Sequence, residues 1–192
     1  MNLNPVINDQ TACHLVQAAA DAVQADREGF AAALDAIPAA IYVTANDGTL
    51  IYFNKACIAM AGRTPELGVD KWCVSWKIYT SEGDFLPHEN CPMAVAIHER
   101  RPVRGAEAVA ERPDGTRVHF VPYPTPLFDE QGNLAGAVNL LLDVSEQRKS
   151  GYLQDQAEQC RRLAASVGDR TSAETLALMA AKYDEQSLKV GR

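Results

Sequence analysis

Three tight-turn signatures constrain this chain more than any other feature: Asn46-Asp47-Gly48, Arg112-Pro113-Asp114-Gly115 and the run Asp129 to Asn133. Each stands between two β-prone stretches, and Asx-Gly pairs supply the left-handed turn residues that match the twist of antiparallel strands. The first joins Ala39–Thr44 to Thr49–Phe53 as a hairpin. The other two join Gly105–Glu111, Thr116–Pro122 and Leu134–Asp143 in an antiparallel run. Five strands therefore form one sheet. The long crossovers that a parallel, doubly wound sheet needs are missing, so the fold class is α+β.

Helical patterns fill the remainder. Asn54 offers a side-chain oxygen to a short helix over KACIAMAG, which Gly62 stops. The stretch from Thr64 to Pro102 is irregular, with a helix start at Thr64-Pro65-Glu66 and a short helix over Glu89–Glu99 carrying Met93, Val95, Ala96 and Ile97. Before the sheet, Asn8–Ala36 is rich in alanine at helical spacing, with Gly29 as a break. After it, Leu153, Ala157, Cys160, Ala164 and Val167 step by fours and threes, Gly168-Asp169 ends that helix, and Thr171 with Glu174 fits a capping box for a second one. The organisation is an N-terminal helical segment over 1–29, an α+β domain over 30–149 with short helices on one face of the sheet, and a helical hairpin over 150–192.

Charge and cysteine usage exclude several roles. Eighteen basic against 25 acidic residues give a net charge of -7 and a pI near 5.1, with no overall attraction for the phosphates of nucleic acid. No apolar run reaches the roughly 20 residues of a membrane span. The first 15 residues carry neither a basic nor a continuous apolar segment of a signal peptide, so a cytoplasmic location is expected. The five cysteines form no CxxC pair, and reduced thiols are expected.

Taken together, Asn46-Asp47-Gly48 between strands, Phe53-Asn54 before a short helix, Arg112-Pro113-Asp114-Gly115-Thr116 and the closing run Asp143-Val144-Ser145-Glu146-Gln147-Arg148 resemble a PAS domain over about Phe30 to Lys149. The closest likeness is to sensor regions of bacterial histidine kinases. The resemblance implies a PAS-like five-stranded antiparallel sheet with short helices on one face, flanked by helices that pass the signal on. It implies a stand-alone sensory or adaptor module that binds a small ligand or a signalling protein such as a histidine kinase, and that forms a homodimer through its N-terminal helix, its sheet face or both. Asp143, Ser145, Glu146 and Arg148 would form the relay into the helical tail. The residues after Lys149 hold no kinase motif, so a stand-alone module without an output domain is expected.

One constellation offers cofactor chemistry. Cys91-Pro92 sets a thiol before a rigid proline, an arrangement able to ligate haem iron, and His88 stands three residues earlier as a second ligand. A haem-based redox or gas sensor is therefore the alternative function. The competing reading makes Cys91 a small buried hydrophobe and His88 a cap. Trp72, Trp76 and Met93 are candidates to line a pocket, against the plainer role of filling a core. His119 faces away from Val118 and Phe120 along its strand, as a histidine on a solvent face would. No nucleophile motif, metal-ligand spacing or phosphate loop occurs, so no enzyme activity, catalytic residue or metal site is expected.

Overall fold

The computed structural model describes residues 8–25, 30–37 and 39–190. Two compact units divide the chain, one ending at Asp143 and the other beginning at Val144.

In the first unit, helices α1 (Asp9–Ala25) and α2 (Phe30–Asp35) precede strands β1 (Ala40–Ala45) and β2 (Leu50–Phe53). The break expected at Gly29 lies outside the described residues. Helix α3 (Lys55–Ala61) follows, then β3 (Lys77–Thr80), β4 (Phe85–Leu86), a single 3-10 turn (His88–Asn90) and α4 (Pro92–Glu99). Strands β5 (Ala108–Glu111), β6 (Arg117–Pro122), β7 (Thr125–Phe128) and β8 (Leu134–Asp143) complete the sheet. Its order is β2-β1-β8-β6-β5-β3-β4, with β7 also paired to β8, and every pairing is antiparallel.

The α+β class and all five expected strands are present, but the sheet has eight strands rather than five. Strands β3 and β4 are four and two residues long, too short to show alternation against the irregular sequence around them. Strand β7 was hidden by Pro126, because a residue without an N–H reads as non-strand; it survives as an edge partner of the first half of β8.

The turns form as their residues dictate. At Asn46-Asp47-Gly48, the Asp47 carboxylate accepts the Thr49 amide (3.0 Å) and hydroxyl (2.9 Å), and Gly48 takes φ +82°. Asp114 repeats the arrangement with Thr116, its carboxylate accepting the amide at 2.9 Å and the hydroxyl at 2.7 Å. Asn54 caps α3 by accepting the Cys57 amide (3.3 Å), and it also accepts the Ile41 amide (3.1 Å) and donates to the Ala39 carbonyl (2.8 Å). That one buried amide thus ties the start of β1 to the start of α3.

Two cores lie on opposite faces of the sheet. The inner core, beneath α3 and α4, gathers Tyr42, Leu50, Cys57, Met93, Ile97, Phe120 and Leu141. The outer core, beneath α1 and α2, gathers Val16, Leu34, Ile41, Val43, Tyr123, Leu127, Val138 and Leu140. Alternation along β1 and β8 explains the division, since Tyr42 and Leu141 point one way while Ile41, Val43, Val138 and Leu140 point the other.

The second unit is a pair of helices, α5 (Ser145–Ser166) and α6 (Arg170–Val190). The expected hairpin is present, but its second cap differs from the capping box of Thr171 and Glu174. Helix α6 starts at Arg170, where Asp169 accepts the Ser172 amide (2.8 Å) and hydroxyl (2.6 Å), while Glu174 pairs with Arg170 (2.8 Å). Aspartate one residue before the helix satisfies the orphan amides, which frees Glu174 for an i,i+4 ion pair. Among the described residues no helix is long and apolar enough to cross a membrane.

Candidate functional site

The most unusual polar feature of the first unit is a chain of hydrogen bonds that runs through the sheet. It begins at Tyr42, whose side chain is fully buried in the inner core. The Tyr42 hydroxyl donates to the Trp72 carbonyl oxygen (2.9 Å) and accepts from the Asn139 side-chain amide (3.0 Å). The Asn139 oxygen in turn accepts the Tyr123 backbone amide (2.9 Å). On the outer face the Tyr123 hydroxyl donates to Asp9 of α1 (2.7 Å). Four side chains far apart in sequence therefore connect the inner core to the helix on the opposite face.

Local geometry explains the path. Strand β8 pairs with β7 through Val138 and with β6 from Leu141 onward, so the chain turns its corner opposite Asn139 and Leu140. The corner amide of Tyr123 is shared between the Leu140 carbonyl (2.8 Å) and the Asn139 side chain. A polar residue inside β8 is thus the partner of a backbone group that the strand ladder serves only at one point. Burial pushes the Tyr42 phenol well above its ordinary value, which keeps the hydroxyl neutral and able to donate and accept at once.

Trp72 anchors the inner end. It has φ +68°, an uncommon conformation for a bulky residue, which costs on the order of 1 kcal/mol or more and persists only where its surroundings impose it. Its amide donates to the Gly48 carbonyl (2.8 Å), its carbonyl receives Tyr42, and its ring lies over Gly48 and edge-on to His98 at 5.4 Å.

The five pocket candidates separate into two groups. Cys91 and Met93 are buried in the inner core, with Trp72 packed partly against it. His88 and Trp76 instead share a surface cleft of about 360 Å³ with Lys77, Phe85, Pro87 and Glu89. Trp76 and Phe85 remain 52% and 61% exposed there. Burial, followed by the Arg63 guanidinium, lowers the His88 pKa and favours the neutral imidazole; its Nε2 is buried without a hydrogen-bond partner among the described residues.

This arrangement does not fit a haem held between His88 and Cys91. Burial pushes the Cys91 thiol up to about 12, and its Sγ lies 3.9 Å from the Trp72 carbonyl as a weak donor. Pro92 opens α4 with Cys91 as its N-cap residue, which turns the thiol into the core, while His88 sits in the preceding 3-10 turn and lines the outward cleft.

The four relay candidates fall where the two units meet along the chain. Asp143 ends β8 opposite Phe120, Ser145 opens α5, Glu146 lies in its first turn, and the Arg148 amide donates to the Val144 carbonyl (2.9 Å). The N-cap position of α5 is held by Val144, whose apolar side chain offers no cap bond. His119 is half-buried between buried Val118 and Phe120. Among the described residues no group of three His, Cys, Asp or Glu side chains comes together as a metal site.

Sequence reasoning missed Tyr42, Tyr123 and Asp9. The one signal was Asn139, the polar interruption in the apolar run of β8.

Comparison with known proteins gives one family match, to the PAS fold, over residues 34–149. No curated protein sequence matches the chain. Among solved structures, the chain is similar to the PAS domain of the fruit-fly ELK potassium channel, at 10% identity and a TM-score of 0.50, covering 62% of this chain and 97% of that one. It is also similar to a Rhodobacter sphaeroides LOV protein at 14% identity, with a TM-score of 0.48 and coverage of 83% and 93%. A PAS domain from Colwellia psychrerythraea gives 19% identity, a TM-score of 0.42 and coverage of 62% and 98%.

Proposed function

The chain belongs to the PAS fold family, and from that premise we propose that it is a sensory or adaptor module of bacterial signal transduction that acts by engaging a signalling protein such as a histidine kinase, without catalysis of its own. Its working place is the cytoplasm. Binding shifts the packing of the inner core, and the shift passes into the flanking helices as a change of population between two arrangements.

The observation that carries this reading is the Trp72–Tyr42–Asn139–Tyr123–Asp9 chain of hydrogen bonds. It links the inner core to α1, and Asn139 shares β8 with Asp143, where α5 departs after Val144. A buried network of this kind is either fully satisfied or costly, so a disturbance at one member is felt by the others. The interior favours a protein partner over an enclosed ligand, since Tyr42, Met93 and Phe120 fill the space between sheet and helices.

Hydrogen exchange of the full chain tests the coupling. Tyr123→Phe removes the bond to Asp9 and Asn139→Leu breaks the chain at its centre. Peptides of α1 should exchange faster in both variants, those of the first turn of α5 in Asn139→Leu only, and the α3 peptides in neither. Unchanged protection of α1 in both variants defeats the relay. For the partner, the autophosphorylation rate of a histidine kinase co-purifying with the wild-type chain should respond to added protein and lose that response with Asn139→Leu. A kinase indifferent to the wild-type chain defeats the adaptor role.

A further inference from the structure

Strand β4 closes one end of the sheet, and there the chain turns out of the strand pair. The register sets Tyr79 opposite Phe85 and Ile78 opposite Leu86; beyond them, β3 gives way to Trp76 and β4 to the turn that begins at His88. The cleft of about 360 Å³ lies at this divergence, with Trp76, Phe85, His88 and Glu89 among its walls. None of the residues that line it belongs to either core. Its volume suits a small molecule.

The walls are aromatic. Trp76 and Phe85 each keep more than half of their surface open. The face of an aromatic ring is the negative end of its quadrupole, and a cation seated there is attracted, most strongly by tryptophan. This part of the sheet already uses the attraction: the Arg117 guanidinium lies 4.4 Å over the Tyr79 ring, and Tyr79 meets Phe85 edge-on at 5.8 Å. Among the described residues no cation lies over Trp76 or Phe85.

Charge points the same way. Glu89 lines the cleft and forms no salt bridge among the described residues, whereas Lys77 on its rim pairs with Glu111 (3.2 Å), which also holds Arg117 (2.9 Å). With Glu82 and Asp84 on the turn between the strands, four carboxylates stand against these two cations. Burial keeps His88 neutral, so it adds no positive charge. The kind of cation follows from hydrogen bonding. A primary ammonium brings three N–H donors, and the rings of Trp76, Phe85 and Pro87 return no oxygen or nitrogen acceptor for them. A nitrogen that carries only carbon has no donor to satisfy and meets those rings with apolar surface.

We propose that the cleft beside β4 binds a small quaternary ammonium compound, its methyl groups against Trp76 and Phe85 and its charge balanced by Glu89. The site lies outside both cores and outside the hydrogen-bond chain, so it is independent of the sensory reading.

Titration calorimetry of the full chain with choline tests the site, at neutral pH and constant ionic strength. Two comparison ligands accompany it: the neutral isostere in which a tert-butyl group replaces the trimethylammonium, and ethanolamine, the primary ammonium. Choline should bind with a dissociation constant on the order of 1 mM or tighter, and both comparison ligands at least about tenfold more weakly. Trp76→Leu should weaken choline about tenfold, and Phe85→Leu and Glu89→Gln about threefold or more, all with unchanged far-ultraviolet circular dichroism. Glu158→Gln, which removes an exposed carboxylate of α5, should leave the affinity as it is. Absence of binding up to on the order of 10 mM choline overturns the proposal. Equal affinity for the neutral isostere overturns it in favour of a plain apolar cleft, and tighter binding of ethanolamine overturns the quaternary preference. Choline affinity indifferent to Trp76→Leu, Phe85→Leu and Glu89→Gln would place the ligand elsewhere and overturn it as well.

Discussion

Replacing Tyr42 by phenylalanine removes one oxygen from the inner core and leaves the ring in place. The lost hydroxyl accepts from Asn139 and donates to the Trp72 carbonyl. Two neutral hydrogen bonds disappear, each worth about 1 kcal/mol net, and the Asn139 amide is left as a buried donor at a penalty of about 1–3 kcal/mol. Some of that penalty is relieved where side chains rotate, so the expected destabilisation is about 2–3 kcal/mol. Against a typical stability of about 5–15 kcal/mol the loss is large. It is read by urea unfolding followed by tryptophan fluorescence, since both tryptophans, Trp72 and Trp76, belong to the first unit. The midpoint should fall while the denaturant slope stays constant, because the surface exposed on unfolding is unchanged. A shift worth less than about 0.5 kcal/mol would refute the claim that this hydroxyl holds the network together.

Gly136→Ala should prevent stable folding of the first unit or cost at least about 3 kcal/mol, because a Cβ there stands 2.1 Å from the Thr44 carbonyl oxygen of the paired strand and only backbone movement relieves it; wild-type urea and thermal midpoints in the variant would contradict the register of β1 on β8. Stability should also fall from about pH 9 upward. Burial raises Cys91 from its ordinary 9.0 up to about 12 and shifts Cys57 and Tyr42 the same way, so the folded state keeps protons that the unfolded chain releases. Below the unfolded thiol value both states are protonated and the contribution is complete; it drains away as pH rises toward the folded value. Cys91→Ala should flatten this alkaline decline, and equal declines in the variant and the wild-type chain between about pH 9 and 11 would reject the assignment.

Turn chemistry made most of the fold legible. Asn46-Asp47-Gly48 and Arg112 to Gly115 announced their hairpins because side-chain carboxylates and left-handed glycines act within four residues, and local effects of that kind are written locally. Strands β3, β4 and β7 escaped because what makes them strands is a neighbour far away in sequence: β3 exists as the partner of β5, and β7, with its proline, as the partner of β8. The site was less legible for the same reason. His88 and Cys91 attracted attention as neighbours in sequence, yet Pro92 starts α4 between the turn and the core and sends them to different surroundings. Tyr42 looked like an ordinary member of an apolar strand and Tyr123 stood just past the end of another, and only the topology brings them to the two sides of Asn139.

That central position of Asn139 can be tested apart from stability as such. If Tyr42 and Tyr123 were merely two buried tyrosines, removing both hydroxyls would cost the sum of the single losses, because independent sites add within about 0.3–0.5 kcal/mol. The structure argues otherwise. The Asn139 side chain contacts both, donating to the Tyr42 hydroxyl and accepting the Tyr123 amide, and its oxygen and nitrogen are fixed relative to each other by a planar amide. Once Tyr42→Phe releases the nitrogen, the amide is free to rotate toward another partner and loosens the corner that presents the Tyr123 hydroxyl to Asp9. The second substitution then removes a bond already weakened. The double variant should therefore be more stable than the sum predicts, by about 0.5–1 kcal/mol, within the range measured for residues in one hydrogen-bond network. Strict additivity in this cycle would mean that the inner core and α1 respond to separate events, and the route from one to the other would have to lie elsewhere in β8.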